Sequence, residues 1–342
     1  AERLDDRHAA IARSLAEEQR TGIGADDLPY DPDALGDDIL RLVFTACHPI
    51  LPRESQVAMT LRVVGGLTTE EIARAFVVPV ATVQQRVVRA KKTLAAADIP
   101  FEVPARHEFD ARLGSVLSVV YLVFNEGYAA TSGDAWMRTD LADEAIRLAR
   151  IVSALVPDSA DAWGLLALLE LQRSRFAARL DADGEPILLG DQDRSRWERD
   201  RIQRGRAALA RVDALGRGRG AYALQAGIAE CHAVASSTDD TDWEQIVALY
   251  EALGRLTPSP VVELNRAVAV SMARGPAAGL ALVDELVAGD ALDRYSFLPS
   301  VRAELLTRLG RHDEARTEFL AAAELTHNER EKAVLLRRAE QA

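Results

Sequence analysis

The stretch GLTTEEIARAFVVPVATVQQRVVRAKKTL, residues 66–94, constrains the fold of this chain more than any other segment. Thr68 is followed three residues later by Glu71, and this capping-box pattern predicts the start of a helix. Pro79 ends that helix, because proline lacks an amide hydrogen and disfavours helical geometry in the residue before it. A second helix is predicted to begin near Ala81. The stretch therefore encodes two short helices joined by a tight turn.

The predicted second helix has an apolar side and a polar side. The apolar side follows helical spacing and consists of Val83, Val87, Ala90 and Leu94. The rest of the helix carries small and amide residues first and cations later, namely Ala81, Thr82, Gln84, Gln85, Arg86, Arg89 and Lys92. Amide side chains can pair with base edges and cations with phosphates, so these residues are the predicted DNA-binding set of a helix-turn-helix. Cations late in a helix also complement its dipole, which is the competing interpretation.

The basic residues of this segment stand in an acidic chain. The net charge is −12, yet residues 74–92 contain five basic residues and no acidic one. If four phosphates are neutralised, the logarithm of DNA affinity falls with the logarithm of salt concentration with a slope of about −3.6. We therefore expect the helix pair to bind free DNA weakly and to be delivered to DNA by a larger partner.

The remainder of the chain is predicted to be helical, because it is rich in Ala, Leu and Arg and only 5% aromatic. One exception is residues 176–189, where Asp183-Gly184 between short apolar runs predicts a small hairpin. Prolines between residues 99 and 105 mark a boundary. The predicted zones are a charged helix with an acidic linker (1–36), a compact helical unit (37–99) and a long helical domain (105–342).

The third zone has the spacing of tetratricopeptide (TPR) repeats. The second helix of such a repeat carries small or apolar residues four and seven positions apart and often a proline after it. That spacing is kept by Ala145, Ala149, Val152 and Pro157, by Ile246, Tyr250, Leu253 and Pro258, and, with His327 in place of proline, by Ala315, Phe319 and Ala322. We therefore predict a TPR-like stack of helices in this zone.

Residues 66–94 resemble region 4 of bacterial sigma factors of the extracytoplasmic-function type, which belong to the sigma-70 family. The family pattern xTVxSRxxRAxxxL is matched by Thr82, Val83, Arg86, Arg89, Ala90 and Leu94, with Gln85 where serine is usual. Downstream, LSVVYLVFNEGYAATSGD and DQDRSRWERD are similar to the subgroup with a long TPR-like extension.

The resemblance implies an all-α protein in which a region-4 helix-turn-helix reads the upstream (−35) promoter element. It also implies contact with the flap of core RNA polymerase, and a TPR-like domain that regulates or supports activity. The resemblance includes no region 2, the domain that binds the polymerase clamp in this family. Residues 1–36 look like the linker between regions 2 and 4, so we expect a region 2 to precede them.

The sequence NEGY, residues 125–128, follows a strongly apolar run. Gly127 suits a helix C-cap, and the simple interpretation is a helix stop. The resemblance makes a second interpretation worth testing, in which Asn125, Glu126 and Tyr128 line a pocket or a domain contact.

No metal, cofactor or catalytic site is predicted. Cys47 is predicted to lie in the core and His48 in a turn. Residues 181–193 do not match the calcium-loop pattern, and no nucleophile can be paired with a general base. No apolar run is long enough to span a bilayer, so we expect a cytoplasmic protein. Because no catalytic set is found, we expect no enzymatic activity. Its expected partners are promoter DNA, RNA polymerase, and a protein or small ligand for the TPR-like domain.

Two alternatives stay open at this point. In the first, the chain is a stand-alone regulator whose TPR-like groove binds a peptide or small ligand and gates the helix-turn-helix. In the second, it is a TPR scaffold in which the predicted recognition helix is buried and no DNA is bound.

Overall fold

The computed structural model describes residues 32–342 except 77, 129–136, 183, 185, 290–291, 293–294 and 327–328. This described part is all-α, as predicted, and contains no strand. The chain divides into two compact units, one ending at Gly218 and the other formed by Arg219–Ala342. No helix among the described residues has the length and apolar character needed to cross a membrane.

Four helices open the first unit: α1 (Pro32–Ala46), α2 (Arg53–Met59), α3 (Thr69–Ala75) and α4 (Val80–Ala96). The predicted capping box is present at the start of α3. The Glu71 amide donates to the Thr68 hydroxyl at 3.1 Å, and the Glu71 carboxylate accepts from the Thr68 amide at 2.6 Å. Local sequence alone therefore determines where the helix-turn-helix begins.

The helix before this joint ends irregularly. After Met59, α2 continues as a π-helical turn over Thr60–Val64. The amide of Gly65 donates to the carbonyl of Thr60 at 2.9 Å, and Gly66 ends the turn with a φ of 71°. A positive φ of this size suits glycine, because it has no β-carbon to clash.

The N-terminal zone is only partly described. The predicted charged helix lies within residues 1–31, outside the described residues. Residues 32–36, assigned to the linker from the sequence, instead begin α1. That assignment was wrong because Pro32 occupies the first helical position, where the missing amide hydrogen costs nothing.

Four more helices complete the first unit: α5 (Arg106–Tyr128), α6 (Thr139–Leu155), α7 (Ala160–Arg173) and α8 (Arg199–Ala214). Each packs on the next, and α5 also packs on α1 and α2. Packing therefore does not divide the chain at the prolines of residues 99–105, since the helices on both sides share one unit. A functional division at these prolines stays a prediction.

The predicted hairpin at residues 176–189 is much reduced. A 3₁₀ turn covers Phe176–Ala178, and a single antiparallel bridge joins Leu180 to Pro186. Proline has no amide hydrogen to extend a ladder, so the described residues here form no strands. Asp183 of the predicted turn lies outside the described residues, and Gly184 has a φ of 80°.

The second unit contains seven helices among its described residues: α9 (Ala221–Val234), α10 (Trp243–Leu256), α11 (Pro260–Arg274), α12 (Pro276–Ala288), α13 (Phe297–Arg308), α14 (His312–Leu325) and α15 (Glu329–Gln341). Each packs mainly on its neighbour in the chain. The repeat positions Ile246, Leu253 and Phe319 are buried as the spacing requires. Any amphipathic helix would bury such positions, so TPR-like architecture stays a prediction, and His327 lies outside the described residues.

Candidate nucleic-acid interface

Helix α4 is fixed to the first unit by the apolar stripe that the sequence predicted. Val83, Ala90 and Leu94 are buried, and Val87 is partly buried. The helix packs with this side on α2 and α3. One side of α4 is thus part of the core.

The opposite side of α4 is exposed. We define the outer face of α4 as Ala81, Gln84, Gln85, Val88, Arg89 and Lys92, all of which are exposed. Thr82 and Arg86 lie on the flank and are partly exposed. The structure therefore brings the predicted DNA-binding residues together on the solvent side of one helix. This exposure argues against a scaffold in which the helix is buried.

The outer face includes one large apolar residue, Val88, and no acidic one. Val88 is 50% exposed in the middle of the face, although nothing in the packing of α4 requires an apolar residue there. The last turn of α4 contains no basic residue, so Arg89 and Lys92 are not placed to complement the dipole at its C-terminus. The arrangement instead offers amides, a methyl-bearing side chain and cations to an external anionic partner.

A groove of about 200 Å³ lies beside α4. Its walls are largely apolar and come from four helices, with Val57, Ile72, Phe76, Val83 and Leu122 among the lining residues. Four charged residues also line the groove: Arg53 and Glu54 of α2, Arg86 of α4 and the buried Glu126 of α5. Arg86 is therefore shared between the flank of the outer face and this groove.

Three arginines that the sequence did not single out hold the helix ends of residues 32–96. Arg112 donates to the carbonyl of Phe44 at 3.0 Å, Arg147 to that of Val64 at 3.1 Å, and Arg138 to that of Arg74 at 2.6 Å. Each acceptor lies in the last turn of a helix, where main-chain carbonyls have no partner within the helix. Residues of α5 and α6, and the residue just before α6, thereby bind helix ends in residues 32–96.

The NEGY residues are separated by the structure rather than gathered in one pocket. Asn125 is exposed, Glu126 lines the groove, and Tyr128 contacts Arg175 and Arg179. The helix stop at Gly127 was a wrong interpretation, since α5 runs on to Tyr128.

Gly127 has a packing role instead. A β-carbon at this position would lie 2.5 Å from the main-chain nitrogen of Ala142 and 2.8 Å from the main-chain oxygen of Arg138. The glycine is needed because α6 and the residues before it approach α5 this closely. The sequence offered no signal for that contact, since the partner residues are remote in the chain.

Cys47 and His48 occupy the core and turn positions that the sequence predicted. The Cys47 thiol is buried, lies 3.2 Å from the hydroxyl of Thr60, and has its pKa raised to about 12 by burial. The His48 Nδ1 accepts a hydrogen bond from the amide of Ile50 at 3.1 Å. Within the described residues, no group of three or more His, Cys, Asp or Glu side chains could hold a metal ion.

Comparison with known proteins gives two family matches and one similar protein. Residues 41–94, which include the whole outer face of α4, match the family described as sigma-70, region 4. Residues 112–213 match a family of unknown function, DUF6596. An uncharacterised protein of Rhizobium meliloti (strain 1021) is 50% identical over 334 residues, which cover 97% of this chain and 74% of that protein.

Proposed function

Because this chain belongs to the family of that Rhizobium meliloti protein and carries a sigma-70 region 4 domain, we propose that it is a sigma factor for promoter-specific transcription initiation. The helix-turn-helix reads the upstream (−35) promoter element and contacts the flap of RNA polymerase. The protein acts in the cytoplasm, without enzymatic activity of its own.

One observation carries the proposal above the others. The side of α4 that holds the predicted DNA-binding residues is exposed and free of acidic residues, while the opposite side is buried against α2 and α3. In helix-turn-helix proteins the recognition helix enters the major groove with such a face, and its N-terminal residues meet the base edges.

The side chains divide into two roles by chemistry. Gln84 and Gln85 read base edges, since a glutamine amide can both donate to and accept from adenine. Ala81 and Thr82 are small enough to let the helix start approach the bases closely. The cations Arg86, Arg89 and Lys92 bind phosphates and set the position of the helix on DNA.

The helices from residue 105 to 342 form a TPR-like domain that supports or regulates this activity. Support comes from the consecutive packing of the helices within each of the two units, and from the three arginines that bind helix ends of residues 32–96. The domain keeps the joint between α3 and α4 in the geometry that DNA recognition needs. A protein or small ligand bound by the domain acts through this connection.

Promoter-dependent transcription with core RNA polymerase tests the proposal in the full-length natural protein. Gln85→Ala and Arg89→Ala should each lower the yield of transcript from the cognate promoter by about 10-fold or more. The matched controls are Gln203→Ala and Arg211→Ala, which change the same residue types at exposed positions of α8. Alanine favours helix at all four positions, so these changes leave the fold intact.

Equal transcription by the α4 variants and the α8 variants would rule out promoter reading by α4. A pull-down with core RNA polymerase separates the proposal from the stand-alone regulator. The sigma factor is retained by the polymerase, whereas a stand-alone regulator binds operator DNA in a ligand-dependent manner and leaves the polymerase unbound.

A further inference from the structure

Two arginines in the first unit have no acidic partner among the described residues. Arg179 is buried, with 8% of its surface exposed, and Arg175 is partly buried. Arg175 donates to the amide oxygen of Gln172 and to the hydroxyl of Tyr128, and Arg179 donates to the main-chain oxygen of Tyr128 and to the sulfur of Met137. None of these acceptors carries a negative charge of its own.

The neighbouring arginines of the same unit are neutralised. Arg173 places Nε and Nη2 on the two oxygens of Asp143, each at 3.0 Å, and Nη1 on Glu198 at 2.6 Å. Arg201 pairs with Asp143, Glu198 and the buried Glu170. Arg173 and Arg201 are therefore neutralised by carboxylates, whereas no carboxylate among the described residues pairs with the two arginines at Tyr128.

Aromatic rings hold the two unneutralised cations in place. The guanidinium carbon of Arg179 lies 3.5 Å from the centroid of the Tyr128 ring and 5.5 Å from that of Phe176, and the guanidinium carbon of Arg175 lies 5.4 Å from the Tyr128 centroid. A cation over an aromatic face is stabilised without losing its charge. The two positive charges thus stand at one ring.

The unused donors have the geometry that oxyanions require. A guanidinium group has five N–H donors in a planar fork, and its Nε and Nη2 can grip two oxygens of one anion. In Arg173 this fork holds Asp143, whereas in Arg179 neither Nε nor Nη2 donates to any described residue. Nη1 of Arg175 is likewise without an acceptor there. Burial, and to a lesser extent the neighbouring Arg175 guanidinium, lower the pKa of Arg179 to about 10.

We propose that Arg175, Arg179 and Tyr128 form a binding site for a phosphate group carried by a small molecule. Two adjacent cations match a phosphate dianion better than a carboxylate, which carries one charge. The site lies at the C-terminal end of α5, two residues from Glu126, which lines the groove beside α4. The ligand therefore binds next to α5, the helix that also lines the groove beside α4.

Phosphate binding to the full chain tests this site directly. Inorganic phosphate is titrated into the protein by calorimetry, and its effect on the unfolding temperature is measured in parallel. Chloride at equal ionic strength and acetate are the two comparison anions. Phosphate should bind and raise the unfolding temperature, and acetate should do so much less. Arg179→Met and Arg175→Met should each weaken phosphate binding about 10- to 100-fold, and Arg179→Lys should lose an intermediate amount because it keeps the charge without the fork.

Arg199→Met is the matched control, since it removes an exposed arginine of α8 and should leave phosphate binding unchanged. A variant that merely folds badly is recognised in chloride, where its unfolding temperature is lower than that of the natural protein without any phosphate. In that case Tyr128→Phe tests the site, because it removes the hydroxyl and preserves the aromatic ring. Tighter binding of a phosphate monoester than of inorganic phosphate identifies an organic phosphate as the ligand, and equal binding identifies the ion. Either result supports the site. The proposal fails if phosphate has no effect beyond chloride, if acetate binds equally well, or if the Arg175→Met and Arg179→Met variants respond to phosphate as the natural protein does.

Discussion

Arg138 donates from Nη1 to the main-chain oxygen of Arg74 at 2.6 Å, across 64 positions of the chain. The acceptor is in the last turn of α3, immediately before the joint of the helix-turn-helix. A side chain just before α6 therefore fixes the end of the helix that positions α4. This bond links the residues before α6 to α3, the helix that precedes the predicted recognition helix.

Arg138→Met should destabilise the protein by about 1 kcal/mol, since a charge-assisted hydrogen bond to a helix C-terminus is lost at a partly exposed site. Urea unfolding measures the change. The control is Arg274→Met in the second unit, which removes an exposed ion pair with Glu244 and should have no measurable effect. Equal stability of the two variants would show that the Arg138 bond does not fix α3.

Gly127→Ala and Gly114→Ala change two glycines of the same helix with opposite expected signs. The new β-carbon at residue 127 would meet main-chain atoms of Ala142 and Arg138, so the protein should lose about 3 kcal/mol or more of stability. At residue 114 nothing lies within 4 Å, and alanine should stabilise α5 by about 0.5–1 kcal/mol. Thermal unfolding of both variants checks the pair. A stabilised Gly127→Ala variant would contradict the close approach of α5 and α6.

The two cysteines should differ in their rates of alkylation. Burial raises the pKa of Cys47 from 9.0 to about 12 and that of Cys231 to about 11, and only the thiolate reacts. At pH 8 the native thiolate of Cys47 is about 1,000-fold scarcer than that of an unperturbed cysteine, and that of Cys231 about 100-fold. Iodoacetamide labelling followed by mass spectrometry should therefore rank the unfolded chain first, native Cys231 second and native Cys47 last.

The same shifts predict how alkali acts on stability. A thiol with a raised pKa stays protonated in the folded chain after it has ionised in the unfolded one. The contribution of the protonated thiol to the free energy of unfolding is therefore complete below pH 9, and it is lost as the pH rises towards the pKa of the folded state. In the alkylation experiment, if iodoacetamide labelled native Cys47 as fast as native Cys231, that result would contradict the buried position of the Cys47 thiol.

Features that depend on neighbours in sequence were predicted correctly. The capping box of Thr68 and Glu71 and the buried stripe of Val83, Ala90 and Leu94 follow from spacing alone. The exposed positions of Gln85 and Arg89 follow from the same spacing, because a helix that buries one side presents the other.

Features that depend on distant residues could not be predicted. The bond from Arg138 to Arg74 and the close approach at Gly127 join segments whose proximity the sequence does not encode locally. No residue pattern in the sequence marks the π-helical turn at Thr60–Val64. Arg175 and Arg179 were missed because an arginine without a carboxylate is recognised only when all its neighbours are known.

Salt dependence gives a quantitative check on the phosphate contacts. The logarithm of the affinity for promoter DNA is plotted against the logarithm of salt concentration. With about four phosphate contacts the slope is about −3.6, and Arg89→Ala should make this slope less steep by about 0.9. Affinity should fall by a similar factor on every DNA sequence, because a phosphate contact carries no base information. Arg211→Ala on α8 should leave the slope unchanged. An unaltered slope for Arg89→Ala would place that residue off the DNA.

Base preference tests promoter reading by α4 most directly. The natural protein and its Gln85→Ala variant are bound to core RNA polymerase, and each holoenzyme selects from promoters with a randomised upstream element. The variant should lose its preference at one or two adjacent base pairs, by about 5- to 150-fold for a bidentate contact worth 1–3 kcal/mol, and keep its preference elsewhere. An identical preference profile for the two proteins would contradict the assignment of α4 as the promoter-reading helix.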